Sequence, residues 1–441
     1  MSSGIIAVLM FAGMIVLLAS GQQLFLVLGG TAAIATLALW GTGGLDMLAF
    51  GSYNVIGWWT LLAIPQFIFM GLLLARSGAG EKLYDAMYLW TGSIKGGLAM
   101  GTVGVVALIA AISGLSFAAT VTAGTLALPE MLKRKYDKSM VIGLIPACGS
   151  LGFLIPPSII LIIYGMIAKV SIGHLWIAGI MPGILLAGMY IIYIGIRCQI
   201  QPHLGPGLPP EMRVSWGKKF RSLGAGISPI VLIFLVLGLL FMGITSLIEC
   251  AAIGLFGAMV IAAIHRKLSF NLLKAVADET LKSTVMILWI FMAALLFSSV
   301  FDGLGAGRSV ANLLHLVPGG GIGIIIFMQF TFFILGMFMD DTAMLLIVAA
   351  TYIPIVDKLG FSLVWYGILY TLNCQMAFVT PPFGWNLFIM KSVVPKDSGI
   401  TLSDLYKSVI PYVGIQAACV GIVIAFPQIA LWLPSIVFPK G

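Results

Sequence analysis

The sequence predicts an all-α polytopic membrane protein built from inverted repeats, each with a re-entrant helical hairpin and a broken transmembrane helix. Three observations predict it. The 441 residues are 61% hydrophobic and 9% charged, with a mean hydropathy of +1.13, whereas a soluble domain carries about 25% charged residues. Two apolar spans each hold a proline pair, Pro156-Pro157 and Pro381-Pro382, 225 residues apart. Two other apolar runs, 96–129 and 321–356, are too long for one crossing and too short for two. The alternation of a closed barrel is missing.

In chain order the apolar segments are 4–19, 22–40, 54–75, 96–129, 141–166 and 173–196, then 227–244, 246–264, 284–301, 321–356, 363–390 and 411–433. No Lys or Arg precedes the first, so it reads as a retained helix rather than a leader. Basic clusters at Lys133/Arg134/Lys135/Lys138, Arg197/Arg213/Lys218/Lys219/Arg221, Arg266/Lys267/Lys274/Lys282 and Lys391/Lys396/Lys407 mark the cytoplasmic side and leave both termini outside. Segment 96–129 then starts and ends on the same side. Its arms of about 16 residues fall short of the ~20 that a span needs, and they meet at Ser113-Gly114-Leu115-Ser116. Segment 321–356 enters from the other face and turns at Met339-Asp340-Asp341-Thr342. Residues 80–94 and 269–283 read as amphipathic surface helices, one ahead of each hairpin. Trp58, Trp59, Trp176 and Trp432 read as interface-belt residues.

The halves stay in register beyond the proline pairs. Pro129 and Pro354 are also 225 apart, and Gly78-Ala79-Gly80 is echoed by Gly305-Ala306-Gly307 at a separation of 227. Proline donates no backbone hydrogen bond and disfavours helix in the residue before it. Each pair therefore frees carbonyls at mid-membrane, where protein, water or an ion must satisfy them. Interrupted spans at matching places of two halves point to a transporter binding site; the plainer alternative is a pair of kinked helices.

Hard cations take oxygen ligands, and half-helix C-terminal ends add negative dipole. A first oxygen cage would use Ser113, Ser116, Gly149 and Gly152, and a second Asp340, Asp341, Asn373 and Thr380. Burying a carboxylate at the bilayer centre costs at least ~2.5–3.5 kcal/mol, so the adjacent acids read either as a cation or proton site or as a solvated hairpin tip at the outer interface. The hydroxyls of Ser113, Ser116, Thr120 and Thr380 have the alternative of bonding their own backbone. H-E-x-x-H and G-x-S-x-G are missing, both acids lie on one segment, and no basic, aromatic-interleaved stretch occurs. These facts argue against an enzyme and against nucleic-acid binding. Cys148, Cys198, Cys250, Cys374 and Cys419 lack metal-ligand spacing and read as packing residues. Glu249 reads as structural.

Ser113-Gly114-Leu115-Ser116, Pro129-x-Met131, Gly149-Ser150-Leu151-Gly152-x-Leu154-Ile155-Pro156-Pro157-Ser158-Ile159, Tyr164-Gly165 and Ser171-Ile172-Gly173, with Met339-Asp340, Asn373 and Thr380-Pro381-Pro382-x-Gly384, resemble the large membrane subunit of TRAP (tripartite ATP-independent periplasmic) transporters, the DctM-like and SiaM-like family. The resemblance implies an elevator-type ion-transporter architecture. Scaffold helices would occupy 1–75 and 227–264, repeats 76–196 and 265–410, a cytoplasmic loop 197–226 and a C-terminal helix 411–441. It implies sodium-coupled import of a small organic anion, a carboxylate or sulfonate, across the bacterial inner membrane. Na+ would sit in the two cages, and substrate among Ser113, Gly114, Ser116, Thr120, Ser158, Asn373, Thr380 and Pro381. Implied partners are a separate small four-helix membrane subunit (DctQ-like) and a periplasmic substrate-binding protein (DctP-like). The chain departs from the pattern at Leu115, where the family often has Ser, at Ala377, where Gly is common, and at Asp341, a second acid where one is usual. The neighbouring alternative is a stand-alone elevator-type anion:cation symporter without a binding protein.

Overall fold

A helix rises 1.5 Å per residue, so about 20 residues cross the hydrocarbon core. The computed structural model describes residues 2–207, 215–314, 316–395 and 398–438, and among them all regular structure is helical; Arg213 and Lys396 of the basic clusters lie outside the described residues. The helices are α1 (Ser3–Ala19), α2 (Leu24–Trp40), α3 (Leu45–Ile56), α4 (Ala63–Arg76), α5 (Ala79–Thr91), α6 (Gly97–Ser113), α7 (Ser116–Lys133), α8 (Lys138–Gly149), α9 (Ile159–Ala168) and α10 (Ile172–Ile200). There follow α11 (Trp216–Phe241), α12 (Leu247–Ile264), α13 (Phe270–Gly303), α14 (Ala306–Leu314), α15 (Gly320–Gly336), α16 (Asp341–Lys358), α17 (Leu363–Ala377), α18 (Trp385–Val393), α19 (Leu402–Ala425) and α20 (Gln428–Val437). Among the described residues six helical stretches are long and apolar enough to span a membrane, whereas α6, α8, α9 and α15 belong to the shorter apolar class. The short helices are the hairpin arms and broken-helix halves.

Loop contacts fix the sides. Gly96 N–H donates to Gly205 O (2.8 Å) and Asp137 N–H to Leu204 O (2.9 Å), and Lys138 Nζ donates to Ser398 O (3.2 Å). The base of the α6–α7 hairpin, the start of α8, the end of α10 and the start of α19 thus share the basic face. On the opposite face His174 stacks on Phe438 at 4.3 Å, Tyr164 Oη donates to Leu363 O (2.7 Å), and Phe361 packs on Trp365 at 5.5 Å. A Cβ at Gly321 would lie 2.9 Å from the Phe361 ring, so the α15–α16 hairpin has its base there. The two hairpins enter from opposite faces, as the inverted plan requires. Ser3 Oγ lies 2.8 Å from Ser309 Oγ, which puts the N-terminus beside α14, the helix leading to that second base.

Several expected boundaries moved. Residues 269–283 are not a separate surface helix but the first half of the 34-residue α13, because nothing between Phe270 and Asp302 breaks a helix. The matching place of α5 is instead α14, which follows Gly305 as α5 follows Gly78, both left-handed. The latter part of the expected loop 197–226 is helical from Trp216. Trp90 Nε1 donates to Lys219 O (2.9 Å) and the Trp90 ring packs edge-on to Phe220 (5.2 Å), holding that turn on α5. The C-terminal segment 411–433 is two helices, parted at Phe426-Pro427. Trp176 is fully buried rather than at an interface, with Nε1 donating to Ser158 O (3.1 Å). Glu249 and Ser246 form a capping box at the start of α12. All five cysteines are buried and unbridged.

Candidate functional site

The first hairpin turns because Gly114 takes the left-handed conformation (φ 62°) and Leu115 is extended (φ −129°). A Cβ on Gly114 would meet Pro157 O at 2.5 Å, so the tip rests on the turn of the first broken helix. That helix runs as α8, gives way to a 3-10 turn at Ser150–Phe153, passes the cis Pro156-Pro157 bond, and resumes as α9. Ser158 caps α9, accepting from Leu161 N–H (3.3 Å) while its hydroxyl donates to Phe153 O. Its hydroxyl proton and its carbonyl are thus both engaged within the protein.

Ser113, Ser116, Gly149 and Gly152 do come together. A Cβ at Gly149 would lie 2.0 Å from Thr120 Oγ1, and one at Gly152 3.4 Å from Ser116 N. Thr120 Oγ1 donates to Ser116 O (2.9 Å) and Ser113 Oγ to Leu115 O (3.1 Å). The hydroxyls thus bond their own backbone, as one reading allowed, and keep lone pairs for a ligand.

In the second half α15 ends at Gly336 and Asp340 caps α16, its carboxylate accepting from Ala343 N–H (3.3 Å). Asp341 Oδ1 accepts from Thr342 N–H (2.9 Å), and Tyr370 Oη donates to Asp341 O. Both half-buried acids therefore face the positive end of α16. Asn373 is 1% exposed, and its Nδ2 donates to Gln329 O (2.7 Å) and Gln329 Oε1 (3.0 Å). Thr380, in the turn that follows α17, donates through Oγ1 to Met376 O (2.6 Å) in the last turn of that helix. Pro381 forms a cis bond with Pro382, whose carbonyl accepts from Tyr406 Oη (2.8 Å). The two broken helices meet where Phe153 and Phe378 pack edge to face at 4.7 Å.

Sequence reasoning missed three buried amides. Asn386 Nδ2 donates to Ser116 Oγ (2.7 Å) and Pro146 O (3.1 Å), tying α18 to the first hairpin and to α8. Gln416 Nε2 reaches Ser150 Oγ (3.2 Å) and Gln375 O (3.5 Å), positions that are 225 apart and hence equivalent in the two halves. Gln329 completes the set. Their common signal is an uncharged amide deep in an apolar run. Two cavities flank the hairpins. One of about 370 Å³ lies between Phe11, Phe301, Phe330 and Tyr352, and one of about 260 Å³ between α4, α7 and the Arg76–Glu279 ion pair. Among the described residues no group of three or more His, Cys, Asp and Glu gathers as a metal site; carbonyls, hydroxyls, amides and the Asp340 and Asp341 carboxylates are the oxygen ligands at hand.

Comparison with known proteins follows the same outline. Residues 7–429 match the family described as "Tripartite ATP-independent periplasmic transporter, DctM component". The chain is similar to the ectoine TRAP transporter large permease protein TeaC of Halomonas elongata, 30% identical over 98% of this chain and 99% of that one. It is also similar to the C4-dicarboxylate TRAP transporter large permease protein DctM of Pseudomonas aeruginosa, 29% identical over 92% and 93%. Among solved structures the YdaH transporter of Alcanivorax borkumensis superposes with a TM-score of 0.64 at 14% identity, over 92% of this chain and 98% of that chain, which shows a shared fold.

Proposed function

This chain belongs to the DctM family of tripartite ATP-independent periplasmic transporters, a multi-pass inner-membrane family, and we propose that it drives sodium-coupled import of a small carboxylate- or sulfonate-bearing anion. The observation that carries the coupling is the pair of oxygen-rich breaks, one per half, where Ser113, Ser116, Gly149 and Gly152 converge and where Asn373 Oδ1 lies buried without a hydrogen-bond donor among the described residues. An acceptor in that condition costs about 1–3 kcal/mol unless a cation or donor meets it, so the ligand set fits a hard monovalent ion. Sodium, when bound, supplies positive charge at the hairpin tips.

The residues do the rest. Gly114 and Pro157 keep the first tip against its broken helix, and Asp340 keeps the second tip on the α16 N-terminus. An anion held between the tips by Ser113, Gly114, Ser116, Thr120, Asn373, Thr380 and Pro381 would be carried as the hairpins and broken helices move against the scaffold helices, elevator fashion. Ion affinity must differ between the two end states to bias that motion. The C4-dicarboxylates named for one relative carry carboxylates, which supports the substrate class. The partners we propose are a separate small four-helix membrane subunit and a periplasmic binding protein that selects the anion. Asp340→Ala and Asn373→Ala, assayed in reconstituted vesicles with the partners present, should each abolish sodium-dependent uptake while inserting normally. Full sodium-dependent uptake by both would remove the second cage from the mechanism.

A further inference from the structure

Asn386 is fully buried, on α18 of the second half, yet both of its observed side-chain bonds run into the first. Its orientation is fixed chemically. Pro146 O can only accept, so the group 3.1 Å away must be the NH2 end. The same NH2 reaches Ser116 Oγ at 2.7 Å. Oδ1 takes part in neither bond and is buried without a donor among the described residues. A buried amide oxygen left in this state needs an explanation, and its neighbour Ser116 is already a member of the first oxygen cage.

The second cage carries the same device. Asn373 Nδ2 is held by Gln329 O and Gln329 Oε1, and Asn373 Oδ1 is buried without a donor. Both halves thus pin an asparagine by its nitrogen and present its oxygen. In the second half the asparagine lies on the broken helix of that cage, whereas in the first it is lent across the repeat boundary. Gly384, left-handed at φ 53°, starts α18 and lets Asn386 N–H donate to Phe378 O (3.1 Å), which sets the register that delivers the side chain.

We infer that Asn386 Oδ1 is an oxygen ligand of the first cation site, donated by the second repeat. This rests on the sodium reading above. The site is then completed only while α18 is docked on α7 and α8, so ion occupancy in the first half reports the position of the second.

The test is thermal unfolding of the purified full-length chain in sodium chloride and, as reference, potassium chloride. Each ion that binds only the folded state adds to the slope of stabilisation against the logarithm of its concentration. The native chain should show a sodium-specific slope. Asn386→Leu should reduce that slope to about half, whereas Asn386→Asp, which keeps an oxygen, should retain it even if its stability in potassium falls. A native chain with no sodium-specific slope would overturn the sodium reading itself. A native slope left unchanged by Asn386→Leu, or lost equally in Asn386→Asp, would overturn the ligand assignment alone.

Discussion

Position 149 shows how tightly the first cage is built. A methyl there would lie 2.0 Å from Thr120 Oγ1, and overpacking of a filled interior costs about 1–3 kcal/mol. Gly149→Ala should therefore lower the unfolding temperature of the purified chain, and adding Thr120→Ala should recover part of the loss. A double-mutant cycle measures that coupling, and strict additivity would mean that the two residues do not press on each other. Asp340 and Asp341 belong to the same scale. Their adjacency advertised a site, but the structure adds a second reason for acids there, because both accept N–H bonds at the start of α16.

Among the elements, α19 begins with a capping box in which Thr401 Oγ1 accepts from Asp404 N–H (3.2 Å) and Asp404 Oδ2 accepts from Thr401 N–H (2.8 Å). The bond from the Thr401 backbone, with that from its hydroxyl, holds the Asp404 carboxyl below its ordinary value. A depressed value stabilises the fold above the unfolded group's pKa, and that contribution fades as pH falls through the lowered one. Amide exchange in the first turn of α19, corrected for intrinsic rates, should accelerate below about pH 4, and Thr401→Ala should show the faster exchange already at neutral pH. Exchange independent of pH in the native chain would mean that the box contributes nothing. The elements also show what the sequence made legible. Hairpins and broken helices could be read because run length, set against bilayer thickness, leaves few arrangements for 96–129 and 321–356, and because Pro-Pro has few uses in a span. The reach of α13 was hidden by a change from amphipathic to apolar pattern at Ser283, which marks a change of surroundings and not of backbone. The start of α11 was hidden by Gly217, Gly224 and Gly226, whose weak helix preference is overridden by packing against Trp90. Asn386 and Gln416 were out of reach for another reason, since their meaning lies in partners 270 and 266 residues away.

At the scale of the molecule, the two halves are one plan run in opposite senses, held together across the middle by Gln416 and Asn386. The first hairpin also touches the N-terminal helices. A Cβ at Gly71 of α4 would stand 2.5 Å from Ser113 O and 2.6 Å from Ser113 Cα, so α4 and the hairpin tip meet backbone to backbone. Small residues allow such approach between helices in membranes. In the elevator motion proposed above, this contact would exist on one floor and not the other. Gly71→Ala should act as a wedge that empties the pose seen here. Spin labels at Leu62 and Val121, both exposed, should then report a second distance population, and an unchanged distribution at unchanged stability would mean that the contact is not state-dependent. A single hydrogen atom in place of a methyl group at residue 71 would then be the latch of the machine: small enough to let the carriage park against its shaft, and too weak to keep it there.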